Sequence, residues 1–506
     1  MPDFVEIPDS TVDTQDHISM FEGNQQVFVV NGSTKKVVDF ISTKLTLGAL
    51  TTPPLRNDTL TQANTGAKLR VQFVNEAMTE IYGYKITDED FNTTDNVSSD
   101  DIGDQTMDPA TFVPTVVDAP TTPHCYDWTK HPSFTQDLPD RVYLACLYMG
   151  RAVLSGNPED PNQWYMSRQN DPFDWDYGAT DTQTPVSGET SLAGKCGDII
   201  RALIPYNDDY LIFGCASSMW YMQGDPANGG SLQPLTETTG IYSSTSFCFD
   251  DSGNLYFLGN SGIFKCSVGG GVSKPVPITT VVLPRLRKDW DLDPEKYRVI
   301  MAYDKQRHGI LITCTNLATG VNSNYWYDAL TEGFFPEQYD AEAGAYSLLY
   351  FDADKEDESA LLIGGQDGFI RYFDDEQKYD ESYGSRSISS LILFPIVPAG
   401  EDAGSEGRIT VFQFVLSGGT DEDADEATDS VVYEVYAGDC PKEVIDKAKA
   451  GTGYICTGTL TGPGRKYKIR RKIKGRSIGV LLKNTTLGHS WSIEQIEFDA
   501  QKSGGI

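Results

Sequence analysis

Along most of this chain, apolar residues fall at alternate positions in short runs, and the runs come in pairs around Gly, Asn, Asp or Ser. Period-2 alternation broken by turn residues predicts antiparallel strands rather than helices. Val27–Val30 and Lys36–Leu47 read as a first hairpin turning at Asn31-Gly32-Ser33. Arg141–Leu147, Arg151–Ser155 and Trp164–Arg168 follow as strands, and later hairpins start near Leu211, Tyr256, Ile310 and Leu361. Those starts are about 45, 54 and 51 residues apart, the length of a four-stranded blade with its loops. Leu258-Gly259-Asn260-Ser261-Gly262-Ile263 aligns with Gly364-Gly365-Gln366-Asp367-Gly368-Phe369, with glycines at equivalent turn positions. A lone blade leaves both sheet faces bare, and a ring of blades covers them. The pattern predicts an all-β chain whose main part is a β-propeller of about six blades.

The prediction for the propeller covers residues 17–47 and 124–385, after a polar N-terminal arm at 1–16. Residues 48–123 interrupt the rhythm. They hold strand-like pieces at Lys68–Val74 and Glu80–Ile86 and then turn acidic, which predicts a β-rich subdomain inserted in a blade. Residues 386–506 carry seven strand patterns and one short helix, Lys442–Ala450, stopped at Gly451. That content predicts a C-terminal β-sandwich or jelly-roll-like domain.

Charge changes the picture more than composition does. The 506 residues hold 40 basic and 73 acidic side chains, a net charge of −33, so the chain as a whole repels nucleic acid and anionic membrane. The excess acid serves solubility, or it forms a wall past which DNA slides without sticking. No apolar run approaches membrane-spanning length, so no membrane insertion is expected. No secretory segment is visible at the N-terminus, and nine scattered Cys without a CxxC pair read as small buried apolar residues. Both features predict assembly in a reducing cytoplasm.

Against that background Arg465–Arg476 is the oddity, with eight basic residues in twelve positions and no acid. Lys466, Lys468, Arg470, Lys472 and Lys474 share one strand face, while Tyr467, Ile469 and Ile473 share the other with Arg471 among them. Neighbouring like charges repel unless something negative faces them. The row is therefore a solvated face, or it meets an acidic loop of its own chain, an acidic surface of a neighbouring subunit, or DNA. The five positions are the candidate inter-subunit interface. Asp421–Asp429 resembles a calcium loop only loosely, because Glu426 stands where glycine is needed and Val432 where the closing acid is needed. No nucleophile elbow, zinc-protease helix or phosphate loop occurs, and the five His lack ligand spacing. No catalytic residue, cofactor or metal is expected.

The string Gly156 to Trp175, G-N-P-E-D-P-N-Q-W-Y-M-S-R-Q-N-D-P-F-D-W, resembles a phrase of the tail-hub or nozzle proteins of short-tailed bacteriophages. So do Leu211–Phe213 with Ser218-Met219-Trp220 some forty residues on, and the closing Gly475-Arg476 and Trp491-Ser492-Ile493-Glu494. The resemblance spans about residues 120–375 and, weakly, the last thirty. It implies a structural virion protein, assembled in the host cytoplasm, in which six copies ring the DNA exit channel. Such a ring contacts portal or adaptor proteins and fibres, spikes or a plug, and double-stranded DNA passes through it. Two other classes stay open: a carbohydrate-binding propeller adhesin, and a propeller glycoside hydrolase or lyase. The first would show an exposed aromatic platform, the second a central pocket with two carboxylates.

Overall fold

The computed structural model describes residues 6–13, 16–100, 111–178, 180–267, 271–280, 282–290, 293–355, 358–373, 380–381, 385–398, 406–417, 428–462 and 466–502. The chain forms two compact units that divide between Arg371 and Tyr372, ahead of the expected boundary at 385/386. Among the described residues no helix is long and apolar enough to cross a membrane.

The first unit is a β-propeller of six small antiparallel sheets. Blade 1 joins Ser19–Gly23, Gln26–Val30, Lys35–Asp39 and His124–Asp127. Blade 2 runs from Leu144 to Ser187, blade 3 from Ile200 to Thr236, blade 4 from Phe247 to Pro277 and blade 5 from Tyr297 to Glu337. Blade 6 has Ala345–Phe351, Ala360–Gly365 and Ile370–Tyr372. The hairpin starts expected near Leu211, Tyr256, Ile310 and Leu361 fall on the second strands of blades 3 to 6. The matched glycine turns join strands two and three of blades 4 and 6. Gly262 and Gly368 there take φ of 132° and 84°, which a side chain would strain.

Each middle blade is buried on both faces, so its inner strands are apolar throughout rather than alternating. In Tyr210–Cys215, Leu211 and Phe213 pack on Val153 and Trp164 of blade 2, while Ile212 packs on Leu255 and Phe257 of blade 4. In blade 4, Tyr256 and Leu258 turn the other way, onto Val299 and Ile310 of blade 5. The first strands of successive blades line the axis. A seven-residue helix unforeseen in the sequence, Leu283–Asp289, bridges blades 4 and 5 and buries Leu286 in their shared core.

The expected strand Lys36–Leu47 is two strands in two sheets. Asp39 stops the first: its buried Oδ1 accepts the backbone N–H of Ile41 (3.0 Å) and Ser42 (2.9 Å), while Oδ2 takes Gln26 Nε2 (2.6 Å). Thr43–Thr46 then enters the inserted sheet, seven strands in the order Val116–Asp118, Thr43–Thr46, Glu80–Lys85, Ala67–Val74, Thr59–Gln62, Val97–Asp100, Thr111–Phe112. Leu45, Leu60, Leu69, Val71, Ile81 and Val97 give the insertion a core of its own.

The second unit is a β-sandwich. One sheet pairs Ser390–Leu393, Ser477–Asn484, Ser430–Gly438 and Cys456–Thr461, with Val397–Pro398 also on Ser477–Asn484. The other sets Gly407–Leu416 between Lys466–Gly475 and Ile493–Lys502. Phe412, Phe414 and Ile473 of one sheet meet Val435, Val480 and Leu482 of the other. The helix Pro441–Ala450 ends at Gly451, whose φ of 64° is the left-handed stop expected from the sequence.

Candidate functional site

Within the propeller unit, the Gly156–Trp175 residues that carry the resemblance lie at its joints. Ser167 and Trp164 are fully buried in blade 2. The turn Asp171–Trp175 is a joint between blade 1, blade 2 and the insertion. Trp128 and Trp175 both donate their indole N–H to the carbonyl of Pro172, at 3.0 and 2.9 Å. Phe173 stacks on Phe73 of the insertion (centroids 4.7 Å apart) and tilts against Phe28 of blade 1 (6.1 Å). Arg56, from the insertion, pairs with Asp171 at 3.2 Å, donates to the Asn170 carbonyl and lies over the Phe173 ring. His131 is buried beside the carbonyl of Pro54, its ring nitrogen at 3.0 Å.

A second joint spans blades 2 and 3. Arg151 is fully buried, pairs with Asp225 at 2.9 Å and donates to the carbonyls of Ser167, Gln183 and Thr184. A buried cation persists where both its charge and its donors are met. Nothing local in the sequence marks Arg56, Arg151 and Asp225 as buried or partly buried ion-pair members, or Phe73 as the insertion's contact with the blades. The one available signal was Arg151 at the start of an otherwise apolar strand.

The propeller axis opens on a cavity of about 450 Å³ lined by Met20, Leu147, Leu203, Pro205, Phe247 and Phe249, with His17, Ser19, Ser244 and Glu22 as its polar groups. Burial, reinforced by the Arg298 guanidinium, pushes the His17 imidazole down to about 4. Elsewhere in the unit, burial lifts the Asp174 carboxyl to about 6 although the Asp176 N–H partly opposes it. Asp198 goes the other way. Burial alone would raise it, but donors from Ser217, Ile199 and Ser218 hold it low, and these tie the Ser218-Met219-Trp220 hairpin in place. Among the described residues no group of three or more His, Cys, Asp or Glu is arranged to hold a metal ion. Seven cysteines are buried, Cys125 is half-buried and Cys440 is exposed. Residues 421–427 of the acidic loop lie outside the described residues.

The cationic row lies at the edge of the three-stranded sheet, where Lys466–Gly475 pairs with Gly407–Leu416. Ile473 is buried in the sandwich core and Ile469 packs against it, while Lys472 and Lys474 are exposed, so this part of the alternation is as the sequence indicates. A bulge sets Arg471 and Lys472 opposite Thr410. For Lys466, Lys468 and Arg470 only the backbone is described. Their register partners are Val415, Gln413 and Val411, which in turn pair with Gln495, Glu497 and Asp499 of the strand Ile493–Lys502. The five positions thus share a strand, and an acidic strand stands two places away in the same sheet.

No protein-family model matches the chain, and no curated protein shows significant similarity to it. Among solved structures it is similar to the N-terminal domain of Nup159 (11% identity over 68% of this chain and 82% of that one, TM-score 0.31). It is also similar to YCF48 bound to D1 peptide (14%, 64% and 98%, 0.29) and to a quinoprotein alcohol dehydrogenase-like protein from Bacteroides thetaiotaomicron (10%, 63% and 65%, 0.28). At these scores the likeness carries no shared site or activity.

Proposed function

We propose that this chain is a structural virion protein, the tail hub or nozzle of a short-tailed phage. Copies form a six-fold ring that extends the DNA exit channel and anchors fibres, spikes or a plug. The observation that carries the reading is where the Gly156–Trp175 phrase spends its side chains. Trp164 and Trp175 are fully buried, and Asp171 and Phe173 fasten the insertion to the blades. A phrase used for rigidity suits a scaffold that bears load. The axial cavity also has one lining carboxylate, Glu22, where glycoside hydrolysis needs a pair.

A conduit must hold DNA weakly, because each phosphate met by a fixed cation adds a salt-dependent grip on the moving duplex. The net charge of −33 per chain suits a channel wall with cations confined to interfaces or sparse rings. Electron microscopy of the particle, with this chain labelled, tests the proposal. The expected image is a six-fold ring at the distal tail with a net-negative lumen wide enough for a duplex. A monomeric label on a fibre would favour the adhesin. Turnover of host polysaccharide by the isolated chain, lost on changing one carboxylate, would establish an enzyme instead.

A further inference from the structure

We infer that the ring closes by strand addition in the sandwich unit, the Lys466–Gly475 edge of one copy pairing with the Ile493–Lys502 edge of the next. The inference rests on the ring-forming reading above and names its interface. Among the described residues these two ten-residue strands each pair with Gly407–Leu416 alone. Each therefore offers a row of backbone N–H and C=O groups at a sheet edge.

The two edges carry opposite charge. Lys466, Lys468, Arg470, Arg471, Lys472 and Lys474 are on one; Glu494, Glu497 and Asp499, all exposed, are on the other, with Lys502 at its far end. The register aligns them: Lys468 shares a row with Gln413 and Glu497, and Arg470 shares one with Val411 and Asp499. Within one copy the two edge strands are two spacings apart, about 10 Å. Across an added strand the backbone separation falls to about 5 Å, which brings the Lys468 and Arg470 positions beside those of Glu497 and Asp499.

Charge on a sheet edge commonly blocks edge-to-edge association. Here it blocks selectively. Cationic edge against cationic edge repels, acidic against acidic repels, and only the unlike pair attracts. The permitted contact is head-to-tail, which generates a ring where the rotation closes and never a two-fold dimer. Both edge strands run antiparallel to the strand between them, so they are parallel to each other. A copy displaced around the ring therefore adds its acidic strand in parallel.

Charge exchange in the full-length chain tests this, read by native mass spectrometry and light scattering. K468E/R470E puts acids in the rows of Glu497 and Asp499, and E497K/D499K puts cations in the rows of Lys468 and Arg470, so in either variant alone those two rows carry like charge. Each alone should lose the wild-type oligomer while keeping its circular dichroism, and an equimolar mixture should restore a ring in which the two alternate. A single chain with all four changes should also assemble. If K468E/R470E misfolds, K468Q/R470Q, which removes the charge from the same two rows and should weaken the oligomer, replaces it. A wild-type chain that stays monomeric at high concentration, folded variants that each assemble unaided, or a folded mixture that does not assemble would each overturn the inference. So would loss of DNA binding by K468E/R470E with its oligomer intact. If labelled particles carry the ring while the variants assemble normally, the hub reading stands and this interface falls. If the alternating oligomer forms but virions lack the chain, the interface stands and the hub reading falls.

Discussion

In the propeller unit the decisive charges are inside. Arg151, fully buried, meets Asp225 at 2.9 Å, Arg56 and Asp171 close a joint under an aromatic stack, and the Asp39 carboxylate organises a strand break in the core. In the sandwich unit one buried carboxylate, Glu434, meets Lys483 at 2.7 Å, and the longest runs of charge lie on the two edges of the other sheet, cations on Lys466–Gly475 and acids on Ile493–Lys502. Both regions use ion pairs, but in different dielectric surroundings. Buried pairs bind a molecule's own parts rigidly and respond little to salt, while exposed rows are weak singly and strong only when many act on a partner. The difference separates a region whose charges hold its own parts together from one whose charges lie outward, where the proposed interface would use them.

The largest test of that contrast is Arg151→Met. Removing one partner of a buried pair leaves Asp225 uncompensated and should cost the propeller about 3–5 kcal/mol. Denaturant unfolding should show the propeller transition moving and the sandwich transition staying. Equal movement of both would break the comparison. Next is Arg56→Ala, which takes charge-assisted hydrogen bonds and a ring contact from the insertion joint and should cost roughly 1.5–3 kcal/mol. Limited proteolysis should then cut faster near Phe40–Ser42 and Ala119–Pro123, where the insertion leaves and rejoins blade 1.

The joints were the part of the structure least visible in the sequence. Blade rhythm was legible because turn chemistry is local: Gly262 and Gly368 mark equivalent turns whatever surrounds them. The strand break after Asp39 was not, since Lys36–Leu47 alternates smoothly and the break comes from a carboxylate reaching two N–H groups in the folded core. The Leu283–Asp289 helix is too short for a periodic signal and is held by the packing of Leu286 between blades. The cationic row was legible as a strand with two faces. Its acidic counterpart was not, because the sheet order places Ile493–Lys502 beyond an intervening strand.

A pH test sharpens the propeller side. His17 is held at about 4 in the folded chain against an ordinary 6.5, so the unfolded chain binds more protons between those values. The stability tied to neutral His17 is complete above about pH 6.5 and is lost as pH falls toward 4. His17→Asn should flatten that slope by about 1–2 kcal/mol, seen as unfolding midpoints that differ less between pH 6.5 and pH 4 than in wild type. Smallest per contact is the salt effect on the sandwich edges. Each exposed pair contributes about 0.2–1 kcal/mol, so rising salt should shrink the oligomer while the propeller's unfolding midpoint barely moves.

Blade 1 takes its fourth strand from the far side of the insertion, His124 pairing with Asp39 across about 85 intervening residues. On a ribosome adding about 5–20 residues per second, that strand emerges roughly 4–17 s after the third. Through that interval the Lys35–Asp39 edge stands open while the insertion, with its own core, can already fold beside it. Blades 2 to 5 each draw four strands from one continuous stretch and close soon after they emerge. The first blade to be translated is thus completed out of step with its neighbours, and the insertion sets the delay.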